Sequence, residues 1–338
     1  MVIGYSYRLV ILINIVFITF DGIIFNIYQK YNFNTIVVSI MMDLENRINA
    51  LNQCDKCQDV QIKKFSPLRE LIDFHELDGN YMKCECGKRP LDIVMSHILK
   101  IMIESGIVPE KATLRRNSPV PLSEFYYSSL NPQFIGERSL ILLHKDFTED
   151  VASRLINEVP EVKCVLRGSP QVPTGQFDKD SEINHFEILE GDDKQINVMR
   201  TLLQEKVVIV KNQSKHHIEV AMTTEQKLLR LHNYLDNNGI KKGIAVDAMC
   251  GLGALGIYLL KYGFEKVIFN DINPEMIETL KMNLEINDVD GGFEIYNEAF
   301  EDLDVCHVDL CVIDAYPGAD ISEITQKAEK IADNVIII

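Results

Sequence analysis

The sequence predicts an α/β protein whose C-terminal part folds as a doubly wound, parallel sheet. From Thr223 onward, short apolar runs alternate with amphipathic stretches of helical length. One of these stretches begins with Pro274, and the first turn is the usual position of proline in a helix. Hydrophobic residues make up 46% of the 338 residues, which is ample for packed cores. Strands that alternate with helices in this way are joined by crossovers and lie parallel.

The predicted elements of this part follow one another without long loops. In chain order they are a capped helix (TTEQKLLRLHNYLDNNG), a strand (KGIAVDAM), a helix (GALGIYLLKYG), a strand (KVIFNDI), a helix (PEMIETLKMNLEIN), a short strand (FEIYNEAF), a strand (VDLCVIDAY), a helix (ISEITQKAEKIAD) and a final strand (NVIII).

The preceding part of the chain is less regular. An amphipathic helix follows Pro90, because its apolar residues recur at i, i+3 and i+4 until Gly106. Residues 139–168 predict strand, helix and strand, with Thr148 as the helix cap. Residues 205–222 contain two apolar runs joined by Asn-Gln-Ser-Lys, which predicts a hairpin. The remaining predictions are a short helix in 43–53 and loops in 107–137 and 169–182.

Charge and cysteine usage restrict the class of protein. A formal charge of −16 argues against a general basic surface for nucleic acid. The acidic excess lies almost wholly beyond residue 116, and local basic spots remain at Lys88, Arg89, Arg115 and Arg116. Four of the eight cysteines crowd into residues 54–86, which indicates a reducing compartment and one metal site rather than a disulfide framework.

The stretch VDAMCGLGALG, at 246–256, predicts a ligand-binding turn. A strand ends at Asp247, a tight turn carries Gly251 and Gly253, and a helix begins at once. Glycines there let the backbone approach a ligand and expose the N–H groups at the helix start. Asp271 ends the next strand about twenty residues later, where an acid can accept both ribose hydroxyls of a nucleoside cofactor.

The pattern Asp-x-x-Cys-Gly-x-Gly resembles motif I of class I S-adenosylmethionine-dependent methyltransferases. Together with TTEQKLLRL, NDINPEMIETLKMNLEIND and DAYPG, it resembles the archaeal and eukaryotic tRNA guanine methyltransferases over 205–338. The resemblance implies a Rossmann-like sheet that binds S-adenosyl-L-methionine, with the Gly loop at the methionine moiety, Asp271 at the ribose and residues 297–299 at the adenine. The implied cofactor-binding residues are Asp247, Ala248, Cys250, Gly251, Gly253, Asp271, Ile272, Asn297, Glu298 and Ala299. Cys250 would pack within the loop and would not act as a nucleophile.

The segment CVIDAYPGAD carries the candidate catalytic residues Asp314, Tyr316 and Pro317. At this place the resembled families have Asn-Leu-Pro-Gly or Asp-x-Asp-Pro-Phe-Gly, so the match is approximate. A carboxylate and a nearby carbonyl can accept hydrogen bonds from an amino group, and Tyr316 can stack on a planar base. The alternative is a strand end followed by a turn at Pro317. The families also carry two further strands, whereas this sequence ends at NVIII.

Cys54-x2-Cys57 and Cys84-x-Cys86 predict a structural zinc site. Four thiolates in two close pairs suit tetrahedral Zn²⁺, and Gly87 permits the knuckle turn. A histidine, His75 or His97, could replace one thiol, although His97 lies in the predicted helix. The alternative is a group of reduced cysteines without metal.

These observations divide the chain into four segments. They are a mis-assigned upstream start or a membrane anchor (1–40), a Cys-rich zinc-binding region (41–120), a small α/β middle domain (121–204) and the S-adenosylmethionine-binding methyltransferase domain (205–338). Asp21 interrupts the apolar run at 9–28, and Met41 is a natural start. Unless residues 1–40 are real, we expect no membrane association.

The sequence supports three functional hypotheses. The first is a cytoplasmic methyltransferase for a base nitrogen of RNA, with tRNA as the expected partner and the zinc region with Lys88, Arg89, Arg115 and Arg116 as the grip on RNA. The second is methylation of a protein or small molecule, which the charge of −16 favours. The third is a non-catalytic S-adenosylmethionine-binding protein. The sequence leaves the oligomeric state open.

Overall fold

The computed structural model describes residues 54–58, 60–126, 134–172, 174–175, 183–203, 205–219, 221–316 and 318–338. The predictions for 1–40 and for the helix in 43–53 lie outside the described residues, as does Pro317. Within the part of the chain that the structure describes, no helix is both long and apolar enough to cross a membrane.

The described residues form α-helices and short strands in alternating groups. The helices are α1 (Leu91–Glu104), α2 (Leu114–Asn117), α3 (Glu149–Glu158), α4 (Ala221–Asn238), α5 (Ala254–Tyr262), α6 (Pro274–Ile286) and α7 (Ser322–Ile331). The strands are β1 (Arg89–Pro90), β2 (Val120–Ser123), β3 (Phe125–Tyr126), β4 (Phe134–Ile135), β5 (Leu140–His144), β6 (Val162–Arg167), β7 (Glu187–Gly191), β8 (Lys194–Arg200), β9 (Lys206–Asn212), β10 (Ile244–Asp247), β11 (Lys266–Asn270), β12 (Phe293–Tyr296), β13 (Val308–Ile313) and β14 (Ala332–Ile337).

The C-terminal part forms the predicted doubly wound sheet. Its five strands lie in the order β12-β11-β10-β13-β14, and every neighbouring pair is parallel. Alternate strand residues point to opposite faces: Ala245 and Leu310 pack against α4, α5 and α6, while Val246 and Cys311 pack on the side of α7. Both faces are therefore covered, as parallel sheets require, and the predicted fold class is confirmed for this part.

The predicted hairpin in 205–222 is wrong in its pairing. Strand β9 pairs antiparallel with the preceding strand β8, and residues 213–219 form no strand. Buried polar residues in β8, Gln195 and Asn197, interrupt the apolar run that would have marked it as a strand. The hairpin packs on α6: Asn283 of this helix accepts a hydrogen bond from the N–H of Val210, and Asn287, which caps its C-terminal end, accepts one from the N–H of Val208, at 2.9 Å each.

The middle of the chain forms a second sheet in the order β2-β5-β6-β7. The predicted strand, helix and strand of 139–168 are confirmed as β5, α3 and β6, and Thr148 caps α3 by accepting from the N–H of Val151. The prediction of loop for all of 107–137 is wrong, because β2 pairs antiparallel with β5. The predicted helix after Pro90 is confirmed as α1, and it packs into the same core as α3.

Candidate functional site

A cavity of about 570 Å³ opens at the carboxyl ends of the parallel strands, between the sheet and the β8–β9 hairpin. This is the edge at which open α/β sheets bind ligands. The predicted site residues that line it are Asp247, Cys250, Gly251, Asp271, Ile272, Asp314 and Tyr316. A second cavity, of about 730 Å³, lies at the amino end of β11 and β12 beside residues 287–292 and carries none of the predicted site residues.

The glycine loop has the geometry that its sequence predicts. Gly251 has φ +51° and Gly253 has φ +90°, which lie in a backbone region that residues other than glycine rarely adopt. A Cβ on Gly251 would meet open space on the cavity side, whereas one on Gly253 would lie 2.3 Å from Leu280. The loop thus presents backbone, and no side chain, to a ligand at Gly251.

Asp247 lies at the end of β10 and is almost fully buried. Its Oδ2 accepts a hydrogen bond from the N–H of Gly256 at 2.9 Å, and its Oδ1 has no partner among the described residues. Burial, reinforced by the charge of Asp314, raises the pKa of Asp247 to about 8. A buried acceptor without a partner at a cavity wall is poised for a ligand, because leaving it unpaired is costly.

Asp271 follows β11 and lines the same cavity. Its Oδ2 accepts from the N–H of Gly251 and its Oδ1 from the N–H of Asn273, both at 2.8 Å. Each carboxylate oxygen has two acceptor sites, so both keep one for a ligand hydroxyl. Burial raises the pKa of Asp271, although these two hydrogen bonds act to lower it.

The remaining predicted cofactor residues do not line the cavity. Asn297 donates from Nδ2 to the backbone oxygens of Asp271 and Ile272, at 2.8 and 3.0 Å, and so fixes the loop that carries the acid. Glu298 is half-buried, and Ala248 and Ala299 are buried. These residues, like Gly253, support or adjoin the loops and are not among the residues that line the cavity.

Asp314 and Tyr316 lie after β13, on the same cavity. The Nζ of Lys227 donates to Asp314 Oδ2 at 2.8 Å and also lies 2.6 Å from Glu219 Oε1. Burial raises the pKa of Asp314, although Lys227 opposes the shift. Tyr316 is 43% exposed, so its ring is free to take up a flat partner.

Sequence reasoning missed one lysine of the hairpin and two histidines that follow it, all of which line this cavity. Lys211 is buried and lies on the same face of β9 as Ile209. Its Nζ donates to the backbone oxygen of Glu219 at 3.1 Å. In the described part of the chain no carboxylate lies within ion-pair distance of it, and burial lowers its pKa to about 8. His216 and His217 also line the cavity. The one signal in the sequence was a lysine that ends a run of four valine and isoleucine residues.

The four predicted zinc ligands form one cluster. The Sγ atoms of Cys54, Cys57, Cys84 and Cys86 all lie within 4.8 Å of one another, and no histidine belongs to the group. Neighbouring sulfurs are 3.5–3.6 Å apart. A tetrahedral Zn²⁺ with Zn–S bonds of about 2.3 Å needs sulfurs about 3.8 Å apart, so the donor set and its spacing fit the ion. His97 is buried in α1, as predicted.

Of the four residues predicted to contact RNA, Lys88 and Arg89 are wrongly assigned. Lys88 is 6% exposed and Arg89 is fully buried, so neither can reach a phosphate. Arg89 forms a bidentate pair with Glu161, at 2.7 and 2.5 Å, which joins the cysteine region to the middle sheet. Arg115 and Arg116 are exposed, as the prediction requires.

The parallel sheet and the cavity at its carboxyl edge are those of a Rossmann-like ligand-binding domain, and the curated proteins that match the chain are methyltransferases. No family model matches. A tRNA (guanine(37)-N(1))-methyltransferase of Giardia intestinalis is 27% identical over 103 residues, 30% of this chain and 23% of that protein. A ribosomal protein L11 methyltransferase of Aeromonas salmonicida is 38% identical over 85 residues, 25% of this chain and 29% of that protein. A tRNA (guanine(26)-N(2))-dimethyltransferase of Sulfolobus acidocaldarius is 36% identical over 71 residues, 20% of this chain and 18% of that protein.

The chain spans between 18% and 29% of the length of these three relatives. Among solved structures, TYW2 of P. horikoshii in complex with MeSAdo has a TM-score of 0.44 and 20% identity, covering 71% of this chain and 78% of that one. Trm5b of Pyrococcus abyssi has a TM-score of 0.40 and 14% identity, covering 57% and 54%. The curated relatives confirm the predicted resemblance to class I S-adenosylmethionine-dependent methyltransferases, tRNA guanine enzymes among them.

Proposed function

We propose that the chain is an S-adenosylmethionine-dependent methyltransferase that acts on a base nitrogen of RNA, with tRNA as the substrate. The observation that carries this proposal is the cavity at the sheet's carboxyl edge, which joins the glycine loop and Asp271 on one side to Asp314 and Tyr316 on the other. Two of the three curated relatives described above are named as tRNA guanine methyltransferases, which supports RNA as the acceptor.

The residues at the cavity fit the cofactor. When bound, S-adenosylmethionine supplies an electrophilic methyl group on a sulfonium. Asp271 keeps one acceptor site on each carboxylate oxygen for the ribose hydroxyls. The unpartnered Oδ1 of Asp247 would accept from the amino group of the methionine moiety, and Lys211 would meet its carboxylate. Ile272, which lines the cavity, would adjoin the adenine, and residues 297–299 lie next to this loop, with Asn297 bonded to its backbone.

Asp314 and Tyr316 would hold the acceptor. The Oδ1 of Asp314 is not used by Lys227, so it can accept a hydrogen bond from a base amino group and orient the ring. The exposed ring of Tyr316 offers a stacking face. Pro317, which is outside the described residues, completes the proposed segment.

A structural Zn²⁺ on Cys54, Cys57, Cys84 and Cys86 is part of the proposal. The sulfur spacing supports it, and thiolate ligands require a reducing compartment, which agrees with a cytoplasmic protein. Metal analysis of the purified chain tests this point. We expect about one zinc per chain, and a content well below one would contradict the site.

A protein acceptor is the second candidate function. The match to a ribosomal protein L11 methyltransferase and the formal charge of −16 favour it. Transfer of tritiated methyl groups to total RNA and to RNase-treated lysate separates the two candidates, with the wild type and Asp314→Ala compared. We expect label in tRNA for the wild type and at least a hundredfold less for Asp314→Ala, roughly the loss of one transition-state contact. Label in protein alone would favour the second candidate. Cofactor binding without label in either fraction would contradict both.

A further inference from the structure

An exposed aromatic ring stands among unneutralised cations in the cysteine-rich region, far along the chain from the catalytic segment. Phe65 is 71% exposed, the highest fraction among the exposed large hydrophobic side chains of the described residues. Single exposed hydrophobic residues are common on protein surfaces and need no explanation by themselves. The surroundings of Phe65 set it apart.

A turn holds Phe65 outward. The N–H of Ser66 donates to the backbone oxygen of Lys63 at 3.0 Å, which closes the turn and leaves Phe65 at its tip. The chain is then anchored at Leu68, which is buried and whose N–H donates to the backbone oxygen of Ala112 at 3.0 Å. These bonds fix the backbone that carries Phe65.

The same contacts bring the second basic segment alongside. The N–H of Arg115 donates to the backbone oxygen of Lys64 at 2.9 Å, so α2 lies beside the turn. Lys63, Arg115 and Arg116 are all exposed. We refer to Lys63, Phe65, Arg115 and Arg116 as the Phe65 patch.

The cations of the Phe65 patch are not neutralised by the acids that pair nearby. Asp92 lies 2.8 Å from the Nζ of Lys64, and Glu110 lies 2.6 Å from the Nε of Arg69. Among the described residues, Lys63, Arg115 and Arg116 have no carboxylate at ion-pair distance. In a chain with a formal charge of −16, three such exposed cations on the turn and on the adjoining α2 form a local positive surface.

We infer that the Phe65 patch binds unpaired RNA: a base stacks on the ring of Phe65 while Arg115, Arg116 and Lys63 contact the adjoining phosphates. Arginine suits phosphate because its planar fork matches two oxygens, and single-stranded RNA is recognised largely by bases that stack on aromatic side chains. A duplex hides its base faces and would lose the contact with Phe65. The inference rests on the proposed function, because it assigns the RNA a second contact site.

The test measures RNA binding without cofactor. A fluorescein-labelled 12-nucleotide RNA of mixed sequence is titrated by anisotropy with the full chain, as a single strand and annealed to its complement, from 50 to 200 mM salt. Phe65→Ala should weaken single-strand binding about tenfold, with the salt dependence unchanged, and should leave duplex binding unchanged. Phe65→Tyr should restore the wild-type affinity.

Removal of the two arginines should have a different signature. Arg115→Gln with Arg116→Gln should weaken both RNAs and lower the slope of log affinity against log salt by about 1.4, the value for two lost phosphate contacts on a single strand. The matched controls are Lys241→Gln with Lys242→Gln, another pair of adjacent exposed cations, and Leu202→Ala, another exposed apolar side chain. Neither control should change binding.

An unchanged affinity for Phe65→Ala and an unchanged slope for the arginine variant would overturn the inference, as would equal losses in the controls. If label still reaches tRNA in that case, the proposed function stands and only the patch is wrong. If the patch variants bind RNA more weakly as expected but no methyl label is transferred to RNA, the patch stands and the proposed function is wrong.

Discussion

At the scale of single residues, the cavity contains ionisable groups that the protein's own side chains and backbone do not fully satisfy. Asp247 has a free carboxylate oxygen, and Lys211 has one backbone acceptor and no acidic partner among the described residues. Asp247 was predictable because a strand followed by a glycine loop places it there. Lys211 was not, since its burial depends on helices that follow it in the chain. Arg89 was wrongly expected at the surface, because its partner Glu161 lies 72 residues away.

Asp247→Asn should affect stability and binding in opposite directions. The pKa of about 8 in the fold lies above the value of about 3.9 in an unfolded chain, so the neutral acid is the stabilised form. Its contribution is complete below pH 4 and is lost as the pH rises towards 8. Asn mimics the neutral form, so the variant should be more stable than the wild type by about 1.5 kcal/mol at pH 5 and by roughly 5 kcal/mol at pH 8. Thermal unfolding at both pH values measures this.

The same variant should bind S-adenosylmethionine about tenfold more weakly. A wild type whose stability does not fall between pH 5 and 8 would contradict the assignment.

Lys211→Met should stabilise the cofactor-free protein and weaken the binding of the cofactor. Burial of an unpaired cation is costly, as the pKa lowered to about 8 indicates, so its removal should raise the free energy of unfolding at pH 7 by about 2 kcal/mol. Affinity for S-adenosylmethionine should fall about tenfold if Lys211 meets the carboxylate. Binding of 5′-methylthioadenosine, which lacks that carboxylate, is the control and should not change. Equal losses for both ligands would show that the variant distorts the cavity.

At the scale of elements, the regular alternation after Thr223 was sufficient to predict each strand and helix of the parallel sheet. Local pattern failed where tertiary contacts decide. Strand β8 contains buried Gln195 and Asn197, and β2 contains Pro121, which sits on an edge strand. Neither stretch looks like a strand by itself. Strand β9 pairs with β8 and not with 216–222, and its N–H groups at Val208 and Val210 bond to Asn287 and Asn283.

The contact between α6 and the hairpin should be a measurable contribution to stability. Asn287 accepts from the N–H of Val208 at 2.9 Å and donates back to its carbonyl oxygen at 2.7 Å, in a buried position. Asn287→Ala leaves both backbone groups unpaired and should lower the free energy of unfolding by about 2–3 kcal/mol in urea titrations. Glu278→Ala, on the exposed side of the same helix, should change it by less than about 0.5 kcal/mol. Similar values for the two variants would show that this contact does not hold the hairpin.

At the scale of the whole molecule, the described residues form four sheets, which are the Rossmann-like sheet, the mixed sheet β2-β5-β6-β7, the β3-β8-β9 sheet and the β1-β4 pair, and one cysteine cluster. The predicted division into 41–120, 121–204 and 205–338 stays a prediction, and its last boundary falls in the connection between β8 and β9. The hairpin belongs physically to the cavity, since Ile209 and Lys211 line it. Charge is also unevenly distributed, and the Phe65 patch keeps a positive surface in an acidic protein.

The central claim is that the cavity at the carboxyl edge of the parallel sheet holds S-adenosylmethionine. Isothermal titration of the full chain with this cofactor tests it most directly, with Asp271→Ala as the site variant and Asp290→Ala, on the second cavity, as the control. We predict one site per chain, an affinity at least about tenfold lower for Asp271→Ala, and an unchanged affinity for Asp290→Ala. No binding by the wild type, or binding that Asp271→Ala leaves intact, would contradict the account.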